Sequence, residues 1–326
     1  MKKEINILVL SAGRRVELIN CFKNAAKELG ISSRVIAADL SDTAPAIYFS
    51  DNFYLIPKIG TEKYLETIVQ ICKTEQISLV VPTIDTELQI MAQNKEHILN
   101  ETGARVLISD LSVIEICRDK VKSQNFFEKN GFGVPKEIKD IYFEEIEYPV
   151  FIKPLDGSSS INAFKVENKK ELEFFHSYIK KPIVQEMLVG VEYTIDVFLD
   201  FNSNVITVVP RQRMATRSGE ISKGKIVKDR EIMDDVMQLM SILKPVGHIT
   251  VQCMKTKDGI KYIEINPRFG GGAPMAIKAG ADSCKNLYRL LIGESLDYNE
   301  NYMENVTFLR FDDAIMLNEN MERIDG

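Results

Sequence analysis

Hydrophobic positions fall first into short apolar runs that alternate with stretches of helical spacing. Residues 5–10 form one run, which turns at Ser11, Ala12 and Gly13 into Val16, Leu18, Ile19 and Phe22, and this helical pattern ends at Gly30. A second run over 34–38 closes on Asp39, a helical stretch covers 64–75, and a third run over 79–82 opens into a loop of Thr83, Ile84, Asp85, Thr86 and Glu87. Strand followed by helix, repeated, predicts a doubly wound parallel sheet. Loops at the carboxyl edge of such a sheet line small-molecule clefts, so Arg14, Arg15 and Asp85 are candidates there, with ordinary loop solvation as the alternative. Residues 11–15 lack the GxGxxG spacing of a dinucleotide site, which argues against NAD.

A helix over 111–129 carries Arg118, Asp119 and Lys120 and is broken by the stretch Gly131, Phe132, Gly133, Val134, Pro135; the first domain boundary belongs to this region. Residues 148–153 then read as a strand ending in Lys153 and Pro154, followed by the small polar tip Leu155, Asp156, Gly157, Ser158, Ser159, Ser160 and a returning strand near 163–166. The backbone amides of such a tip can fold over phosphates while the lysine supplies a point charge; a bare surface hairpin is the alternative. A helix over 171–179 and a strand over 183–188 lead past Gly190 and Glu192 into a strand over 193–199. The strand over 205–209 runs into a basic loop, 210–219, whose Arg211, Arg213 and Arg217 invite an anion unless they are a solvated cluster. A helix over 229–243 follows, and 287–292 has the look of a core helix.

The densest chemistry lies in 247–281. Residues 248–255 and 260–266 alternate around a turn at 256–259, in which Gly259 can take the left-handed last position of a bulged turn. That register sets Gln252 opposite Glu264. Strand alternation puts Glu264 and Asn266 on one face, with Ile263 and Ile265 on the other. Oxygen ligands of this kind suit Mg²⁺, Arg268 is placed to hold a phosphate, and Gly270, Gly271 and Gly272 let backbone N–H groups approach an anion ahead of a short helix from about Pro274. A hairpin ending in a solvated turn explains the same residues.

Composition narrows the field. With 326 residues, 45% of them hydrophobic, the chain can bury a sizeable core in two or three domains. A net charge of −6, with no basic run, gives no reason to expect nucleic acid. Cys21, Cys72, Cys117, Cys253 and Cys284 are scattered without a CxxC pair, against both a disulfide framework and a zinc site, and a reducing cytoplasm fits them. No apolar run approaches membrane-spanning length, so a soluble chain with no membrane partner is expected. No Ser/His/Asp or Cys/His constellation is visible; His97 and His176 fall in helical contexts, and His248 starts a strand.

In order, Lys120, FIKP with Lys153, the tip 156–160, IVQEML, Glu192, Gln252 and IEINPR resemble the ATP-grasp superfamily, within it most nearly the synthetase unit of the carbamoyl-phosphate synthase large subunit. The resemblance implies an α/β and α+β chain. A doubly wound pre-ATP-grasp domain (1–112) would precede a two-lobed ATP-grasp fold, with a small lobe (113–187) carrying the phosphate loop and a large lobe (188–326) carrying the metal site. It further implies that Lys120 and Lys153 contact the nucleotide phosphates under a mobile loop of Asp156, Gly157, Ser158, Ser159 and Ser160. Glu186 and Leu188, with Gln185 beside them, would read adenine, and Glu192 the ribose. Gln252, Glu264 and Asn266 would hold Mg²⁺ or Mn²⁺, and Arg268 would steady the transferring phosphoryl group. Arg211, Arg213 and Arg217 would bind the carboxylate or its acyl phosphate. The implied activity is an ADP-forming ligase joining a small-molecule carboxylate to an amine, and a homodimer is common in the superfamily. A nucleotide-binding accessory protein without turnover, and phosphorylation of bicarbonate or carbamate by a single unit, are the alternatives.

Overall fold

The computed structural model describes residues 4–142, 145–155, 161–217 and 219–324, so the expected phosphate loop of Asp156, Gly157, Ser158, Ser159 and Ser160 lies outside the described residues. Strands β1 (Asn6–Leu10), β2 (Val35–Asp39), β3 (Asn52–Leu55), β4 (Ile77–Val81) and β5 (Arg105–Val106) form a parallel sheet in the order β3-β2-β1-β4-β5. Alternate residues feed opposite faces. Ile7, Val9, Val35 and Ala37 pack with helix α1 (Val16–Leu29), whereas Leu8, Leu10, Ile36 and Ala38 pack with α2 (Glu62–Thr74) and α3 (Asp85–Thr102). A sheet covered on both faces needs near-continuous apolar strands, which is why β1 and β4 were legible while the short edge strands β3 and β5 were not.

Two expected features change. Asp85 and Glu87 sit in the first turn of α3 and not in a loop. The cause is Glu87, a fully buried carboxylate that accepts from the N–H groups of Thr83 and Ile84 and from the hydroxyls of Ser11 and Tyr64, so the chain closes into a helix two residues after Thr83. The expected helix over 111–129 is two helices, α4 (Leu111–Arg118) and α5 (Lys120–Lys129). Between them Asp119 is extended (φ −101°, ψ 114°), and its side chain accepts from the N–H groups of Val121 and Lys122, capping α5.

Strands β6 (Val150–Pro154), β7 (Phe164–Val166) and β8 (Pro182–Glu186) make a three-stranded antiparallel sheet in the order β7-β6-β8, backed by α6 (Lys169–Tyr178). The last sheet is antiparallel and six-stranded. It contains β9 (Gly190–Leu199), β10 (Val205–Arg217), β11 (Glu220–Ile226), β12 (Gly247–Thr256), β13 (Gly259–Asn266) and β14 (Thr307–Leu309), in the order β13-β12-β9-β10-β11-β14. Helix α7 (Arg230–Leu243) covers one face through Ile232, Val236, Leu239 and Leu243. The stretch 210–217, expected as a loop, is the end of β10, paired with both β9 and β11.

Helices α8 (Ala273–Lys278) and α9 (Ser283–Leu291) return to the N-terminal sheet, where Phe269 and Tyr288 set their rings 6.0 and 6.3 Å from Phe22 of α1. The parallel sheet and the chain that follows β13 therefore share one core. No helix among the described residues is long and apolar enough to cross a membrane, and the five cysteines are free thiols.

Candidate functional site

The three-stranded and six-stranded sheets face each other across a cavity of about 360 Å³. Its walls carry Lys120, Lys153, Gln185, Glu186 and Leu188, with Glu192, Gln252 and Glu264 contributed by the six-stranded sheet. Each comes from a defined element. Lys120 is the first residue of α5, fixed by the Asp119 cap, and its Nζ donates to the Pro154 carbonyl at 2.8 Å. Lys153 lies on β6. Gln185 and Glu186 end β8, and Leu188 belongs to the strand-free link to β9. Glu186 exchanges bonds with the backbone of Lys136, its N–H donating to the carbonyl at 2.9 Å and its carboxylate accepting from the N–H at 2.8 Å. The Glu186 N–H is thus committed, and the chain just beyond it, at Met187 and Leu188, faces the cavity.

The hairpin has the expected register, with Gln252 opposite Glu264 and Gly259 at φ 106° after the turn. One detail differs. Gln252 pairs with Glu264 but Cys253 with Tyr262, so Ile263 is the extra residue of a bulge. It was expected to turn away with Ile265. The bulge instead lets Ile263 join Glu264 in the cavity wall, while Ile265 stays in the core. Asn266 Nδ2 donates to Glu264 Oε1 at 2.9 Å, and Asn266 Oδ1 accepts from Arg268 at 3.3 Å.

Electrostatics make one end of the cavity receptive to an anion. Burial, with Lys120 nearby, pushes the Lys153 ammonium down to about 8, and Glu264 only partly offsets this. Two lysines that disfavour each other's charge in a desolvated pocket are stabilised by an added anion. Glu264, Gln252 and Asn266 offer one carboxylate and two amides; among the described residues no three His, Cys, Asp or Glu side chains cluster as a metal site. Such a set is too weak to hold a dedicated cation cage, but it fits a hard cation that keeps waters and shares phosphate oxygens.

The arginines separate. Arg268 is held by Asp85 through two hydrogen bonds, Nε to Oδ1 at 2.9 Å and Nη2 to Oδ2 at 2.6 Å, so the first turn of α3 aims it beside Asn266. Arg213 lines the cavity; it donates to Thr194 and to the Gly219 carbonyl, and its buried Nε lies 3.0 Å from Glu192 Oε1 but off the hydrogen-bonding direction. Arg211 lies elsewhere. It is 1% exposed and bonded to Asp196 at 2.5 and 3.1 Å, within a buried network that continues through His248 to Ser283. Burial alone raises the Asp196 carboxyl, but Arg211 and His248 outweigh it and hold it below the usual range. Arg217 is exposed and pairs with Asp312.

Sequence reasoning named Asp85 and Arg268 without joining them. A strict strand alternation would have hinted that Arg211 and Arg213 share a face; nothing local signals that the tail returns beside β11.

Comparison with known proteins agrees with this architecture. Residues 7–107 match the family model of a PylC-like N-terminal domain, and residues 117–272 match that of an ATP-grasp domain. Neither matched model is specific to carbamoyl-phosphate synthase. Among solved structures, N5-carboxyaminoimidazole synthetase of Staphylococcus aureus, complexed with ADP, is similar over 97% of this chain and 84% of its own, with 17% identity and a TM-score of 0.72. The biotin carboxylase domain of Hydrogenobacter thermophilus 2-oxoglutarate carboxylase, in complex with MgADP, ADP and bicarbonate, matches 92% of this chain and 73% of its own at 20% identity, TM-score 0.67. The L-amino acid ligase of Bacillus licheniformis matches 93% and 76% at 18% identity, TM-score 0.65. The parallel N-terminal sheet followed by two facing sheets gives this chain the fold of the ATP-grasp superfamily.

Proposed function

We propose that the chain is an ATP- and Mg²⁺-dependent ligase that activates a carboxylate as an acyl phosphate for attack by an amine. The observation that carries this reading is the convergence, in one cavity between two sheets, of Lys120 and Lys153 with Gln252 and Glu264, the last hydrogen-bonded to Asn266. Lys120 and Lys153 bind the β- and γ-phosphates, the link at Met187 and Leu188 meets the base, and Glu192 the ribose. Glu264, Gln252 and Asn266 would hold Mg²⁺, or Mn²⁺ in its place, which supplies charge neutralisation between the phosphates. For Asn266 to ligate, its amide must turn its oxygen away from Arg268 and toward Glu264, because Nδ2 now faces that carboxylate.

The carboxylate oxygen of the acid attacks the γ-phosphorus, the bond to the β-phosphate oxygen breaks, and ADP leaves. The amine then adds to the acyl carbon, the acyl C–O bond breaks so that inorganic phosphate departs with the bridging oxygen, and the nitrogen loses a proton to solvent. Positioning and charge suffice for such a transfer, and Arg268, fixed by Asp85, faces the oxygens of the moving phosphoryl group. The similar proteins complexed with ADP, or with MgADP, ADP and bicarbonate, support the nucleotide and the acid as ligand classes.

The test is incubation with ATP, Mg²⁺ and pools of carboxylates and amines, bicarbonate with ammonia included, while ADP, AMP and phosphate are followed. Acid-dependent ADP and phosphate support the reading. AMP and pyrophosphate point to adenylate chemistry, and ATP binding without turnover in every pool would leave a nucleotide-binding accessory protein.

A further inference from the structure

A second cavity, of about 310 Å³, opens near the Arg268–Asp85 pair; in its wall Ile84 is one residue from Asp85 and Gly270 two residues from Arg268. Its floor is bare backbone. A Cβ on Gly270 would meet Thr250 Oγ1 at 2.8 Å, and one on Gly271 would meet Glu220 Oε1 at 2.5 Å, so neither position admits a side chain without displacement. Guanidinium groups reach this cavity from two distant parts of the chain: Arg14 and Arg15 from the loop after β1, and Arg310 from the residue after β14. Glu220 stands between two of them, Oε1 3.4 Å from Arg15 and Oε2 3.1 Å from Arg310. The other acid in the wall, Glu17, is taken by Lys278 at 2.6 Å. Burial, outweighing the help of Glu220, lowers the Arg15 guanidinium, and Arg268 and Arg310 lower it further. Three guanidinium groups against one available carboxylate, in a chain of net charge −6, concentrate positive potential where a small anion can enter.

We propose that this cavity binds the acid that is activated, and that the acid carries two anionic groups: a carboxylate directed toward Arg268, and a second anion held by Arg15 and Arg310 with Arg14 at the rim. The inference rests on the ligase reading. The second anion is a carboxylate or a phosphate, which arginine forks recognise alike. It takes the place of the Glu220 carboxylate, which already lies over the Gly271 backbone between the same two arginines.

Calorimetry on the full chain, with and without saturating ADP and Mg²⁺, provides the test. The probes are a series of dicarboxylates of increasing length, phosphoglycolate, and monocarboxylates of matching size. Some member of the dianionic set should bind about tenfold more tightly than its monoanionic counterpart, as expected for one added charge-assisted contact. Arg310→Gln should abolish that preference with ADP affinity unchanged, Arg310→Lys should retain part of it, and Glu220→Gln should bind the dianion at least as tightly. Whether a dicarboxylate or phosphoglycolate wins identifies the second group. Equal binding of mono- and dianions, or a preference that survives Arg310→Gln, overturns the inference. ADP binding without any dianion binding does the same while sparing the ligase reading; Arg310-dependent dianion binding without ADP binding does the reverse.

Discussion

Lys153 shows how far a single residue carries function and how little of it is visible in sequence. Its position before a small polar stretch marked it as a phosphate contact, but its charge state depends on its burial and on Lys120, which approaches strand β6 from helix α5. The free ammonium, lowered to about 8, should rise when nucleotide phosphates arrive, so the complex holds more protons than the free protein just above that value. ADP affinity should therefore be highest below pH 8 and fall as pH rises through it, and calorimetry near pH 9 in buffers of different ionisation enthalpy should show net proton uptake. Binding without proton uptake would remove Lys153 from the phosphate site. Arg211 marks the opposite case. In sequence it is one of three neighbouring arginines, and only the fold shows that it neutralises the buried Asp196, while Arg217 reaches an exposed aspartate.

At the scale of elements, the β12–β13 hairpin was legible to its register because alternation and Gly259 constrain it locally. The bulge at Ile263 was not, since it arises from how β13 fits β12 and the cavity. The parallel sheet was legible where strands are buried on both faces and illegible at its short edges. The break between α4 and α5 sets where Lys120 enters the cavity. Asp119→Ala removes the α5 cap and should cost about 1 kcal/mol of stability, read by chemical denaturation. Because Lys120 is the residue the cap positions, the same variant should also weaken ADP binding, whereas a surface change such as Lys169→Ala in α6 should leave it intact.

In the whole molecule, the N-terminal sheet is more than a neighbour of the two facing sheets. Phe269 is buried against Phe22 and stacked on His248, so the chain following Arg268 is anchored in the core of the first domain, and Asp85 from that domain holds Arg268 itself. None of this long-range docking has a local sequence signal; it joins residues 183 positions apart. Asp85→Asn keeps the shape of the pair but weakens its charge, and should lower kcat by about 100-fold, the scale of a small misplacement of a catalytic group, with ADP affinity preserved. A fall in ADP affinity with kcat unchanged would instead assign the pair to nucleotide binding.

The most direct test of the central claim is the Mg²⁺ dependence of acid-stimulated ADP formation from ATP, compared between the wild-type chain and Glu264→Gln. The account predicts turnover that rises with Mg²⁺ in the wild type and is abolished in Glu264→Gln while ATP still binds. Turnover retained in Glu264→Gln with the same Mg²⁺ dependence would contradict it.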